Sequence, residues 1–122
     1  MLMKKVQVKT RDKKTFTLEE SFINEVSFLN DMVTDCLNED QIVSLSNVDS
    51  NSLEIALFLH EHYSNQEKIQ DYFLSIKDVE LLQAIETFNF LGAEKMYKLS
   101  LKRLVDIISE SSQEKVTFLL TQ

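Results

Sequence analysis

The sequence of 122 residues contains no proline, no tryptophan, one glycine (Gly92) and one cysteine (Cys36). Each scarcity excludes something. Loops that cradle phosphate need several glycines, so that backbone N–H groups can approach the ligand. A nucleotide-loop enzyme is therefore excluded. A lone cysteine makes no intramolecular disulfide, which suits a reducing compartment, and cytoplasm and nucleus are the expected locations. The only histidines are His60 and His62. Two positions apart on a helix they point about 200° away from each other and do not chelate one metal. With a single cysteine besides, neither a metal nor another cofactor is expected. No run approaches the roughly 18 apolar residues of a membrane helix. The start, Met1 to Val6, lacks the apolar stretch of a signal peptide.

What is present points to one compact domain with a core of its own, since 43% of the residues are hydrophobic. The formal net charge of -7 argues against nucleic acid as a partner, because a phosphate backbone calls for clustered Lys and Arg. Acidic residues are numerous but scattered: Glu19-Glu20 and Glu39-Asp40 lie in polar stretches and read as solvated surface. Cys36 continues an apolar stripe and reads as a packed thiol, not a nucleophile. Catalysis is not expected.

Residues 5–9 alternate polar and apolar, as do 15–18, with the polar stretch Arg11-Asp12-Lys13-Lys14 between them, and the pattern predicts a β-hairpin. Short helices are predicted over about 19–25 and from Ser27, a candidate N-cap, with Phe28, Leu29, Met32, Val33, Cys36 and Leu37 at helical spacing. Ile42 to Leu45 reads as a third strand. Asp49 or Asn51 caps a helix whose dense apolar run, Leu53 to Leu59, predicts a central, buried element. Residues 64–71 are polar and read as a loop, with Tyr72-Phe73-Leu74 as an anchoring segment. Asp78 is the expected cap of a helix ending at Gly92, where a left-handed residue fits. Two further helices are expected, from about Ala93 to Ser109 and from Ser111, where Ser111 and Glu114 have capping-box spacing.

The last forty-odd residues carry more apolar side chains than a small interior needs. Their faces either pack on one another and on the sheet, or form an exposed groove for a partner's apolar helices. Both readings stand on the residues alone.

The order of elements and several local segments together carry a resemblance. Val6-Gln7-Val8 with Lys13-Lys14-Thr15-Phe16-Thr17-Leu18 is similar to the opening hairpin of the Skp-type adaptors of SCF (Skp, cullin, F-box) ubiquitin ligases, which belong to the BTB/POZ superfamily. Val43-Ser44-Leu45-Ser46-Asn47-Val48 resembles that family's Val-Pro-Leu-Pro-Asn-Val segment, with Ser44 and Ser46 in place of the prolines. Phe88-Asn89-Phe90-Leu91 resembles its Ala-Asn-Tyr-Leu segment. Met96 to Ile108 aligns with its next helix without gaps, and Ser111 to Val116 resembles its Lys-Thr-Pro-Glu-Glu-Ile turn, with Gln113 for proline. The resemblance spans Lys5 to Leu120, and the two further helices favour a Skp-type adaptor over the related elongin C.

The resemblance implies an α+β BTB/POZ fold: a small three-stranded sheet with surrounding helices, followed by two C-terminal helices. Residues 1–92 would form the core and 93–122 a helical extension of the same compact unit. It implies an adaptor, not an enzyme, bridging a cullin and F-box proteins in ubiquitin-dependent degradation, with a weak homodimer through the BTB face as a further contact. Asn89 and Phe90 match the family's cullin contact, although Phe90 has no hydroxyl where the family has tyrosine. Leu81, Leu82 and Ile85 match the helix facing the F-box. Tyr97, Leu101, Leu104 and Ile108 match the following helix, and Val116, Leu119 and Leu120 the last. The family often has a long acidic insert before the third strand, where this sequence has only residues 34–41, and its tail commonly continues into a tryptophan-containing segment that this sequence lacks; the shortened tail would narrow the range of F-box partners. The alternative is an elongin-C-like or generic BTB interaction and dimerisation module.

Overall fold

Alternation decides the first element. Along β1 (Lys5–Thr10) Val6, Val8 and Thr10 are buried while the residues between them face water. The computed structural model describes residues 5–36 and 42–120, with side chains described for 5–31 and 42–110. β1 is the middle strand of three. It pairs antiparallel with β2 (Thr15–Glu19), Val6 opposite Leu18 and Val8 opposite Phe16, and parallel with β3 (Ile42–Leu45), Val8 opposite Val43 and Thr10 opposite Leu45. A parallel pair needs a crossover. It is supplied by α1 (Glu20–Glu25) and α2 (Ser27–Cys36). One face of the sheet is thereby apolar, and α3 (Ser50–Glu61), α5 (Asp78–Leu91) and the start of α6 (Glu94–Leu120) share a single core with it.

The α+β class, the hairpin and the third strand are as the sequence indicates. So is the burial of α3, whose Leu53, Ile55, Ala56 and Leu59 are enclosed. Ser44 and Ser46 replace strand-ending prolines, and hydrogen bonds end β3 in their stead. Val48 N–H donates to the Leu45 carbonyl (3.2 Å), and the Val48 carbonyl accepts from Arg11 N–H (2.8 Å).

Four local expectations are corrected. Residues 64–71 are not a loop: α4 runs from Gln66 to Ser75, capped by Asn65, whose side chain accepts from Lys68 N–H. Only Ile69 and Phe73 of this helix are buried, a stripe too thin to read as a period. Tyr72 adds a stack on Phe58 of α3, with ring centroids 3.9 Å apart and planes 15° from parallel. Burial, with Glu54 and Glu80 nearby, raises the Tyr72 hydroxyl above its usual pKa. The cap of α5 is Lys77, not Asp78, because the Glu80 carboxylate reaches back to Lys77 N–H (3.0 Å). Ser27 opens α2, but its hydroxyl donates to the carbonyl of Gly92 (3.4 Å). Finally, the two expected terminal helices are one helix of 27 residues. Gln113 keeps the N–H that proline would lack, and no glycine interrupts the run, so the i→i−4 ladder continues past Ser111.

Two polar clusters hold the ends of α3, one on the hairpin turn and one on α1 and α6. At one end Asp12, in the hairpin turn, accepts from Thr10 Oγ1 (2.7 Å), from Ser50 N–H (2.9 Å) and from the Ser50 hydroxyl (2.5 Å). Asp49 caps α3 by accepting from Ser52 N–H (2.7 Å). The turn closes with Lys13 at φ 70, the left-handed region where a side chain is strained. At the other end His60 Nδ1 lies 2.8 Å from Glu25 Oε2 and its Nε2 lies 3.3 Å from Ser21 Oγ, while Lys95 of α6 stands 3.5 Å from Glu25. The histidines therefore differ: His62 is the C-cap of α3, and His60 ties α3 to α1 from a half-buried position. The Cys36 side chain lies outside the described residues.

The Asp12 carboxyl is held well below its ordinary value of 3.8, first by the Ser50 hydroxyl and then by Thr10. A depressed folded-state pKa means stability present above the unfolded value and lost as pH falls through the folded one. Asp12→Ala should therefore lower the melting temperature, with a constant difference from the parent between about pH 5 and 7 that shrinks below about pH 4. Thermal melts across that range check this; a difference that persists unchanged at low pH would remove the carboxylate from the explanation.

Candidate functional site

The helices α5 and α6 leave the Gly92 turn and pack on each other. Gly92 ends α5 at φ 69, ψ 30, and Ala93 N–H returns to the Phe88 carbonyl, a left-handed C-terminal turn for which glycine is suited. A Cβ there would lie 3.0 Å from Cβ of Ser27. The turn thus also sets how closely α2 approaches α5.

The inner face of α5 is filled by Leu81, Ala84, Thr87, Phe88 and Leu91. Leu81 is therefore a core residue. Leu82, one position on, is exposed, and Ile85 is half-buried at the core's edge. On α6, Met96 and Ser100 face inward. Tyr97 and Leu104 pack partly on the core, and Leu101, Val105 and Ile108 stand in water, Val105 at 54% and Ile108 at 56% exposure. The spacing of 97, 101, 104, 105 and 108 puts these residues on one flank of the helix. This flank is the surplus apolar face expected from the sequence. Val105 was not among the expected site residues, although its place four after Leu101 makes it legible. The side chains of Val116, Leu119 and Leu120 lie outside the described residues.

A second apolar feature is at the far end of α5. Asn89 is exposed, and Phe90 is 44% exposed. The Phe90 ring lies 5.1 Å from that of Phe28 on α2, tilted by 40°. Phe90 also closes a cleft of about 320 Å³ whose other walls are Arg11 of the hairpin turn, Asn47 and Asp49 before α3, and Glu86 of α5. Arg11 stands 3.7 Å from Asp49. Three chain segments thus meet at this surface. Phe28 carries no local signal of a site, because its partner is sixty residues away and only the packing of α2 on α5 joins them.

Among the described residues no three His, Cys, Asp or Glu side chains stand where they could hold a metal ion. Among them too, no helix is long and apolar enough to cross a membrane. What the two surfaces offer chemically is apolar area beside polar hydrogen-bonding groups, the composition of a protein-docking face.

The sequence matches the family model of the Skp1 family, tetramerisation domain, over residues 4–65. That span is just over half of the chain and runs from β1 to the end of α3. No curated protein matches the chain.

Gly92→Ala should destabilise the fold by about 1–2 kcal/mol, from left-handed strain, with the close approach to Ser27 adding to it. Urea unfolding measures this as a lower midpoint at unchanged slope. A variant as stable as the parent would mean that α2 and the turn adjust freely, and that Gly92 does not set their spacing.

Proposed function

The chain belongs to the Skp1 family, and from that premise we propose that it is an adaptor, not an enzyme, that bridges a cullin scaffold and F-box proteins in an SCF-type ubiquitin ligase. The observation that carries the reading is the apolar flank of α6, with Leu101, Val105 and Ile108 in water beside half-buried Tyr97 and Leu104. A small domain that leaves such a row exposed gains by covering it. Each Leu or Ile side chain fully buried contributes on the order of 1.5–3 kcal/mol before the costs of association. Leu82 and Ile85 of α5 extend the same docking face, and Leu81 supports it from the core. The resemblance of these positions to the family's F-box-facing helices supports placing the F-box on this flank.

The cullin falls to the other surface in this reading. Asn89 supplies an exposed amide, Phe90 an exposed ring buttressed by Phe28, and the cleft with Arg11, Asn47 and Glu86 adds polar partners at its rim. Without a hydroxyl, Phe90 contributes shape and apolar area only. The two surfaces share no residue, one lying along α6 and the outer side of α5 and the other at the end of α5 beside α2 and the hairpin turn, so in this reading one chain holds both partners at once and transmits position, not chemistry. The compartments of such a ligase are the cytoplasm and nucleus.

Co-purification of the chain with several F-box fragments is the direct test, and failure with all of them by a well-folded chain would remove the proposal. Leu101→Asp should weaken an F-box fragment at least about tenfold, the equivalent of roughly 1.4 kcal/mol, and leave a cullin N-terminal fragment unaffected. Phe90→Glu should do the reverse. Equal loss of both partners in either variant would mean that the surfaces are misassigned. A stable homodimer in sedimentation that an F-box fragment does not dissociate would instead favour a generic BTB dimerisation module.

A further inference from the structure

The flank of α6 opposite Leu101, Val105 and Ile108 carries a different chemistry. Leu99, Arg103 and Asp106 each lie two positions from one of those three residues, about 200° around the helix. With Lys102 they form one wall of a groove of about 340 Å³, whose other wall is α4. Its floor holds Ile69 and Phe73. Leu74 stands at the rim, 69% exposed, more than any other large apolar residue described.

The two cations of this groove form no ion pair among the described residues. Four cations follow one another along α6. Lys95 is 3.5 Å from Glu25, and Lys98 is 3.1 Å from Glu94. Lys102 and Arg103, the next two, make no ion pair among the described residues. Nε of Arg103 is shut off from water and has no hydrogen-bond partner among the described residues. A buried donor on a charged group left in that state is costly. Asp106, one turn further on, lines the same groove but forms no ion pair with either cation. An anion arriving in the groove would meet the Lys102 ammonium and the terminal N–H groups of the Arg103 guanidinium as charge-assisted partners.

We propose that the α4/α6 groove is a second docking site, distinct from the apolar flank, for an acidic amphipathic segment of a partner protein. One carboxylate of the segment sits against Arg103 and Lys102. A leucine or phenylalanine of the segment covers Leu74 over Ile69 and Phe73. Asp106 repels a second carboxylate one turn along, so the position facing it is neutral or basic, which gives the segment a direction. A polyanion is disfavoured, because the chain as a whole carries a net charge of -7 and two cations do not overcome that repulsion. The site faces away from Leu101, so it is occupied independently of whatever binds the apolar flank.

The test is selection of short random peptides displayed against the full-length chain, with counter-selection against Arg103→Gln. Enriched peptides should pair Asp or Glu with Leu or Phe. A synthetic copy of the most enriched one should bind about tenfold more weakly to Arg103→Gln. It should weaken similarly on Leu74→Lys, and when its own carboxylate is made an amide, but not on Leu101→Asp. Arg103→Met should melt at or above the temperature of the parent, since it removes the orphaned donor, and should still fail to bind the peptide. If the Arg103 variants do not fold, Leu74→Lys, an exposed position, carries the comparison. No enrichment, enrichment without acidic residues, equal loss on Leu101→Asp, or displacement by inorganic phosphate or heparin at concentrations that match the peptide would each overturn the proposal.

Discussion

The place of α3 in the molecule depends on one carboxylate outside it. Asp12 sits in the hairpin turn, and its two oxygens hold the backbone N–H and the hydroxyl of Ser50, the first residue of α3. An anion at a helix N-terminus meets both unsatisfied N–H groups and the positive end of the dipole. Here that ordinary preference has a topological consequence. The turn belongs to the hairpin, so the start of the helix is fastened to the end of the β1–β2 pair. Leu53, Ile55, Ala56 and Leu59 then enter the core at a set depth. The residues of α5 pack on α3, and the start of α6 packs on both.

At the other end of α3 the fastening is of another kind. His60 contacts Glu25 and Ser21 of α1, and its ring meets Phe22 edge-on at 5.5 Å. Glu25 also faces Lys95 of α6. A single half-buried carboxylate therefore joins three helices. Between these two polar ends the contacts are apolar and without direction, so the ends supply the orientation that burial alone does not.

The two flanks of α6 follow from this arrangement. Only one narrow stripe of the helix, through Met96 and Ser100, faces the core. Tyr97, Leu99, Leu104 and Ile107 pack on the core in part, and the other described side chains of the helix meet water. On one side the outward residues are leucine, valine and isoleucine; on the other they are lysine and arginine beside the thinly packed α4. The helix is long because nothing in it stops the backbone ladder, and it presents two chemically unlike faces because its inward stripe is so narrow. The exposed flanks are thus a consequence of how little of α6 the domain can cover.

Much of this was legible in the order of residues. Alternation and helical spacing are local, so β1, β2, β3, α3 and α5 lie where those periods place them. Gly92 stands where a left-handed residue is needed, and the apolar surplus of α6 shows in its own spacing. The absence of proline at Gln113 bears directly on the length of α6, but Ser111 and Glu114 suggested a new start there. Capping residues favour a helix start without enforcing one, since a good ladder satisfies the same N–H groups. Tertiary structure decided what no period carries. It made a helix of residues 66–75, because Ile69, Phe73 and the Tyr72–Phe58 stack hold two turns that propensity alone does not distinguish from a loop. It turned Leu81 inward and Leu82 outward, joined Phe28 to Phe90, and left Nε of Arg103 without a hydrogen-bond partner among the described residues. Each of these depends on pairs of residues far apart in the chain, and only packing brings such pairs within reach of one another.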